Sequence, residues 1–135
     1  MKLSQSKESV VLRTERGASA LPLLRVVISS LASRQDLLME QLDDVQLAVE
    51  TLLADEPEGE GELVLEVWSG GNGLSLCVDG LHNASVRAAL LAAQPFQPCE
   101  DCLLDVRLLL DSLVDAFSVI DRDEGRFAVQ MDKWA

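Results

Sequence analysis

The sequence predicts a two-layer α/β sandwich of the α+β type, in which a mostly antiparallel mixed sheet carries its helices on one face. Three observations predict it. Every candidate strand alternates apolar with polar residues and so has one apolar face, whereas a doubly covered parallel sheet reads as continuous apolar runs. Apolar stripes at helical spacing fall between those strands. The pieces run in the order strand, two helices, hairpin, two helices, hairpin, which lets one helical layer cover one side of one sheet.

The first strand is Val10-Val11-Leu12-Arg13-Thr14, with Val10 and Leu12 inward, after a short polar leader and before the break at Arg16-Gly17-Ala18-Ser19. Ser19 is placed to cap a helix whose stripe is Leu21, Leu24, Ile28 and Leu31, with Pro22 in the first turn, where a missing N–H is tolerated. A second stripe, Leu38, Leu42, Val45, Val49 and Leu52, turns Asp43, Asp44 and Gln46 outward and stops near Pro57. The acidic run from Asp55 to Glu62 reads as a solvated loop.

Leu63, Leu65 and Val67, then Leu74, Leu76 and Val78, form the inward rows of a hairpin turned at Gly71-Asn72-Gly73. Asn83 is a cap candidate for a short helix carrying Val86, Ala89, Leu90 and Ala93, which ends at the Pro95 to Pro98 segment. The next helix has the stripe Leu103, Val106, Leu110, Leu113, Val114 and Phe117. A last hairpin, Phe117 to Asp121 and Arg126 to Met131, turns at Asp123-Glu124-Gly125 and sends Phe127 and Val129 inward.

Composition limits the roles open to such a domain. With 135 residues, 48% of them hydrophobic, the chain has the size of one domain with one core, here about residues 8 to 134 of 1–135. A net charge of −12 repels nucleic acid and anionic membrane, so neither is an expected partner. The first residues hold no apolar core of a signal peptide, no segment is long and apolar enough to span a bilayer, and the cysteine count of three is odd. Together these predict a cytoplasmic protein with free thiols.

Two segments carry a resemblance to a known family. Leu24-Arg25-Val26-Val27-Ile28-Ser29-Ser30-Leu31-Ala32-Ser33-Arg34 and then Leu42-Asp43-Asp44-Val45-Gln46-Leu47-Ala48-Val49-Glu50 resemble the first two helices of anti-sigma serine kinases. Leu108-Leu109-Leu110-Asp111-Ser112-Leu113-Val114-Asp115, with a hairpin ending Val129-Gln130-Met131-Asp132-Lys133-Trp134, resembles that family's last helix and closing strands. The resemblance implies the histidine-kinase-like ATPase fold. It also implies a helix-two motif of a glutamate and, four residues on, a magnesium-holding asparagine, then an Asp-x-Gly-x-Gly box after the central hairpin.

This chain departs from that pattern where nucleotide is handled. Glu50 matches the glutamate, but Ala54 stands at the asparagine position and offers no oxygen to a hard cation. Asp79 matches the aspartate that reads adenine, yet Leu81 and Asn83 replace the glycines. No glycine lies between Gly80 and Gly125, so the second glycine box is missing as well, and with it the backbone cradle that glycine permits. Cys99-Glu100-Asp101-Cys102-Leu103-Leu104-Asp105 occupies that region, with carboxylates that oppose a polyphosphate, and only Arg87 and Arg107 are basic nearby.

The remaining chemistry-bearing residues read as structural. Glu50 alone has no positioned reacting partner. Cys99 and Cys102, spaced as in redox pairs, have Glu100 and Asp101 between them, which opposes a lowered thiol pKa. Cys77 and His82 could complete a four-ligand zinc set with them only if Cys77 faced the helices, and the alternation turns it to the other face. His82 reads as a loop histidine. Trp68 shares the outward sheet face with Val64, Glu62 and Glu66 and is the natural interface anchor. The expectation is therefore a non-catalytic regulatory module of the anti-sigma factor type, a pseudo-kinase with no catalytic, cofactor-binding or metal-binding residues. Its expected partner is a sigma factor, an antagonist of the anti-anti-sigma type, or a second copy. The alternative is an active ATP-dependent serine kinase with diverged motifs.

Overall fold

The computed structural model describes residues 8–16, 20–32, 37–54, 56, 61–70, 73–91 and 106–134. Nine elements follow one another: β1 (Glu8–Glu15), α1 (Ala20–Ala32), α2 (Met39–Leu53), β2 (Glu62–Gly70), β3 (Gly73–Leu81), α3 (Ala84–Leu91), α4 (Val106–Leu113), β4 (Ala116–Asp121) and β5 (Phe127–Trp134). The strands make one sheet in the order β1-β2-β3-β5-β4, and every pairing is antiparallel. The expected mixed sheet is corrected on this point: among the described residues no parallel pair exists. β2–β3 and β4–β5 are consecutive in the chain, α1 and α2 lie between β1 and β2, and α3, α4 and β4 lie between β3 and β5.

The register puts all inward rows on one face. Leu12, Leu65, Val78 and Val129 are aligned across four strands, and Val67, Leu76, Met131 and Phe117 repeat the alignment one row on. These side chains form a single core with Leu24, Ile28 and Leu31 of α1, Val45, Val49 and Leu52 of α2, Val86 and Leu90 of α3, and Leu110 and Leu113 of α4. The four helices thus cover one face, and Val64, Trp68, Cys77, Asp79 and Gln130 lie on the other.

Three local assignments are corrected. Val10 pairs with the inward Val67 but stays 38% exposed, because β1 is an edge strand with a neighbour on one side alone. Leu38 precedes α2 and is 67% exposed, whereas Ala48 completes the buried stripe. Phe117 belongs to β4, since Val114 and Asp115 already leave the helix. Ser19, Leu103 and the Pro95 to Pro98 segment lie outside the described residues.

Polar contacts lock the layers together. Asn83 caps α3 through its Oδ1, which accepts the N–H groups of Ser85 at 3.0 Å and Val86 at 3.2 Å. α1 is tied to α2 by Arg25 to Glu50 and by Gln46 to Ser29 at 2.9 Å. Lys133 of β5 donates to the Leu113 carbonyl at the end of α4 at 2.8 Å and reaches Asp44 of α2 at 3.3 Å, a placement that suits a cation at a helix C-terminus. No described helix is long and apolar enough to cross a membrane.

Candidate functional site

Of the residues expected at a nucleotide site, Leu81 and Asn83 stand at the β3–α3 junction, which the segment after α2 reaches through Glu56. Ala54 is the residue after α2 and exposes a methyl group. Glu50, one turn earlier, is held by Arg25 on α1, so its carboxylate is satisfied between two helices. Asp79 does not face this place. It pairs with Val64 and Ala128 on the sheet face away from the helices, where its Oδ2 lies 3.2 Å from Arg122 and its Oδ1 accepts the Gly80 N–H at 2.7 Å.

A buried ion pair that the sequence pattern does not announce fills the junction. Arg16, just past β1, and Glu56, three residues past α2, meet at 2.6 Å with side chains only 2% and 5% exposed. The acidic run from Asp55 to Glu62 predicts a solvated Glu56; instead its carboxylate accepts the backbone N–H groups of His82 at 2.5 Å and Asn83 at 3.3 Å. Arg16 also donates through Nη2 to the Gly80 carbonyl. The pair therefore ties the ends of β1, α2 and β3 together. The available signal was slight: a basic residue directly after an apolar strand, and an acidic residue directly after an apolar helix.

Gly80 makes this geometry possible. Its φ is +90°, and a Cβ there would lie 2.4 Å from the Glu62 carbonyl oxygen, so a side chain meets both backbone strain and a backbone clash. The register shift between Asp79 and Leu81 is the same feature seen in the ladder, a bulge that turns the Gly80 carbonyl toward Arg16.

Neither nearby arginine is placed to hold phosphate. Arg87 makes a two-point contact with Asp121 at 2.8 and 3.0 Å, and that hydrogen bonding holds the Asp121 carboxyl below its usual range and raises Arg87. Arg107 lies 3.9 Å from Asp111 one turn along α4. On the opposite face, a depression of about 640 Å³ holds Arg13, Arg122 and Arg126, but Glu62, Asp79, Asp121 and Asp123 line it too, so acids outnumber bases.

Cys77 stands on the sheet face away from the helices, opposite Glu66 and Gln130, and cannot join a site among them. Burial pushes its thiol up, Asp79 and Glu66 add to the rise, and Arg122 opposes it. Alkylation of Cys77 by iodoacetamide is therefore expected to be slower at pH 7.5 than that of a free model thiol, and to accelerate only above the ordinary thiol range. Site-resolved mass spectrometry reads both rates; a rate at neutral pH equal to the free thiol's would contradict the burial argument. Cys99, Cys102, Glu100 and Asp101 lie outside the described residues. His82 is an exposed junction residue, and among the described residues no group of His, Cys, Asp or Glu is arranged to hold a metal ion. Trp68 is half-buried on the uncovered face, as its alternation required.

The fold and junction define the class: an α+β domain with a five-stranded antiparallel sheet and four helices packed on it. No protein-family profile and no curated protein sequence matches the chain.

Proposed function

We propose that this chain is a non-catalytic regulatory module of the anti-sigma factor type, with a histidine-kinase-like ATPase fold, that acts in control of transcription initiation through protein contacts. One observation carries the reading. The backbone N–H groups of His82 and Asn83, in the segment where the resembled kinases place their first glycine box, are taken by the chain's own Glu56. An internal carboxylate neutralised by Arg16 thus sits where a nucleotide-binding relative needs open donors. Ala54 and the outward-facing Asp79 support the same reading.

What the fold offers instead is surface. On the helical side Leu23 is 49%, Val26 64% and Leu47 48% exposed, and on the other side Trp68 lies on the uncovered sheet. The resemblance points to a sigma factor, an antagonist of it, or a second copy as the protein that covers one of these surfaces.

Magnesium with ATP is expected to leave the melting temperature unchanged. A ligand at a hundred times its dissociation constant would add about 2.7 kcal/mol. Melting curves with millimolar magnesium–ATP check this, and a clear ATP-dependent rise would return the chain to the active kinases.

A further inference from the structure

The uncovered sheet face is not flat. Along β3 the outward residues Ser75 and Cys77 are both small, while the flanking strands carry larger side chains beside them. Trp68 of β2 and Asp132 of β5 flank Ser75, and Glu66 of β2 flanks Cys77. Strands two apart lie about 10 Å from each other, so small residues between tall ones leave a shallow trough along β3. The Asp79–Arg122 pair, at 3.2 Å, closes one end, and Trp134, 57% exposed and opposite Gly73, stands at the other.

The walls of this trough carry two carboxylates, Glu66 and Asp132, beside the indole of Trp68 and the amide of Gln130. Among the described residues neither the Glu66 nor the Asp132 carboxylate has a hydrogen-bond or ion-pair partner, although both are half-buried. Arg13, Arg122 and Arg126 are the basic groups at the closed end, where Arg122 is engaged by Asp79 and Arg126 by Glu124 at 3.5 Å.

We propose that this trough binds a lysine- or arginine-bearing segment of a partner protein, its aliphatic stem against Trp68 and its cation between Glu66 and Asp132. The match is one of charge and shape. A long side chain with an apolar stem and a cationic tip fits an aromatic wall followed by carboxylates, and gains both a cation–π contact and charge-assisted hydrogen bonds. The net charge of −12 draws basic segments toward the face and disfavours nucleic acid. This assignment rests on the reading of the chain as a protein-binding module and names the chemistry of its partner.

The test uses the full chain and an acetylated, amidated Gly-Arg-Gly-Arg-Gly peptide, followed by NMR at the indole N–H signals of Trp68 and Trp134. The expected result is a saturable shift at Trp68, weakened at least about tenfold in the Glu66→Gln, Asp132→Asn double variant. Glu40→Gln with Asp43→Asn removes the same charge from exposed positions on α2 and is expected to change the affinity by less than about twofold. Ser75→Leu, which fills the floor without altering charge, is expected to abolish the shift. Equal weakening by both double variants, or no shift at Trp68, would overturn the proposal. So would movement of Trp68 with protein concentration alone, accompanied by a dimer in ultracentrifugation, which would give the face to a second copy. A silent peptide titration with no ATP effect overturns the trough alone, whereas stabilisation by magnesium–ATP overturns the non-catalytic reading whatever the peptide does.

Discussion

Replacing Arg16 by methionine is expected to cost about 3–5 kcal/mol of folding stability, the usual result of leaving one member of a buried ion pair without its counter-charge. The side chains of Arg16 and Glu56 are 2% and 5% exposed, so water cannot take over the lost contact. Methionine fills much of the space, and the loss is therefore chiefly electrostatic. For a domain of this size the change corresponds to a fall in Tm of at least about 10 °C. The double variant Arg16→Met, Glu56→Gln is expected to lose less than the sum of the single changes, because a neutral amide oxygen can still accept from His82 and Asn83. A single variant that loses under about 1 kcal/mol would show that the pair is solvated in solution, as the acidic composition of its neighbourhood had suggested.

Gly80→Ala is expected to be nearly as damaging, at about 2–4 kcal/mol, for a different reason. A residue with a Cβ held at positive φ costs of order 1–3 kcal/mol, and here the added methyl also meets the Glu62 carbonyl oxygen at 2.4 Å. The backbone must shift to relieve that contact, and the Gly80 carbonyl would move away from Arg16. Gly125→Ala is the matched control: its φ is +74° but nothing lies within 4 Å of the new Cβ, so it is expected to cost only about 1 kcal/mol. Chemical denaturation of both variants checks the difference. Equal losses at the two positions would mean that the bulge is loose enough to accept a side chain.

These two effects concern the part of the molecule that was least legible in the sequence. The order of the elements could be read because period-2 and period-3.6 patterns are local, and the strands Leu63 to Val67 and Leu74 to Val78 are buried in the expected alternation. The Asn83 cap was legible for the same reason, since its partners are two and three residues away. Arg16 and Glu56 are 40 residues apart, and nothing in a one-dimensional pattern distinguishes a glutamate held by an arginine from another member of an acidic loop. Val10 shows the complementary failure. Its alternation identified the correct face, but exposure depends on its strand being at the sheet edge, which is a property of the whole topology. Antiparallel pairing throughout was likewise decided by how β3 and β5 come together across two intervening helices and a strand.

The trough on the other face was half legible. The alternation placed Trp68, Glu66 and Cys77 outward, but that Asp132 stands across Ser75 from Trp68 follows only from the β3–β5 register. Its floor exists because β3 pairs on both sides with strands that carry the large residues.

The most direct measurement of the central claim follows the backbone amides of His82 and Asn83 by NMR while magnesium–ATP is added. With Glu56 holding both N–H groups, their signals are expected to stay where they are up to millimolar nucleotide. Saturable shifts at these two amides, together with loss of the Glu56 contact, would show that nucleotide displaces the internal carboxylate, and the non-catalytic reading would fall.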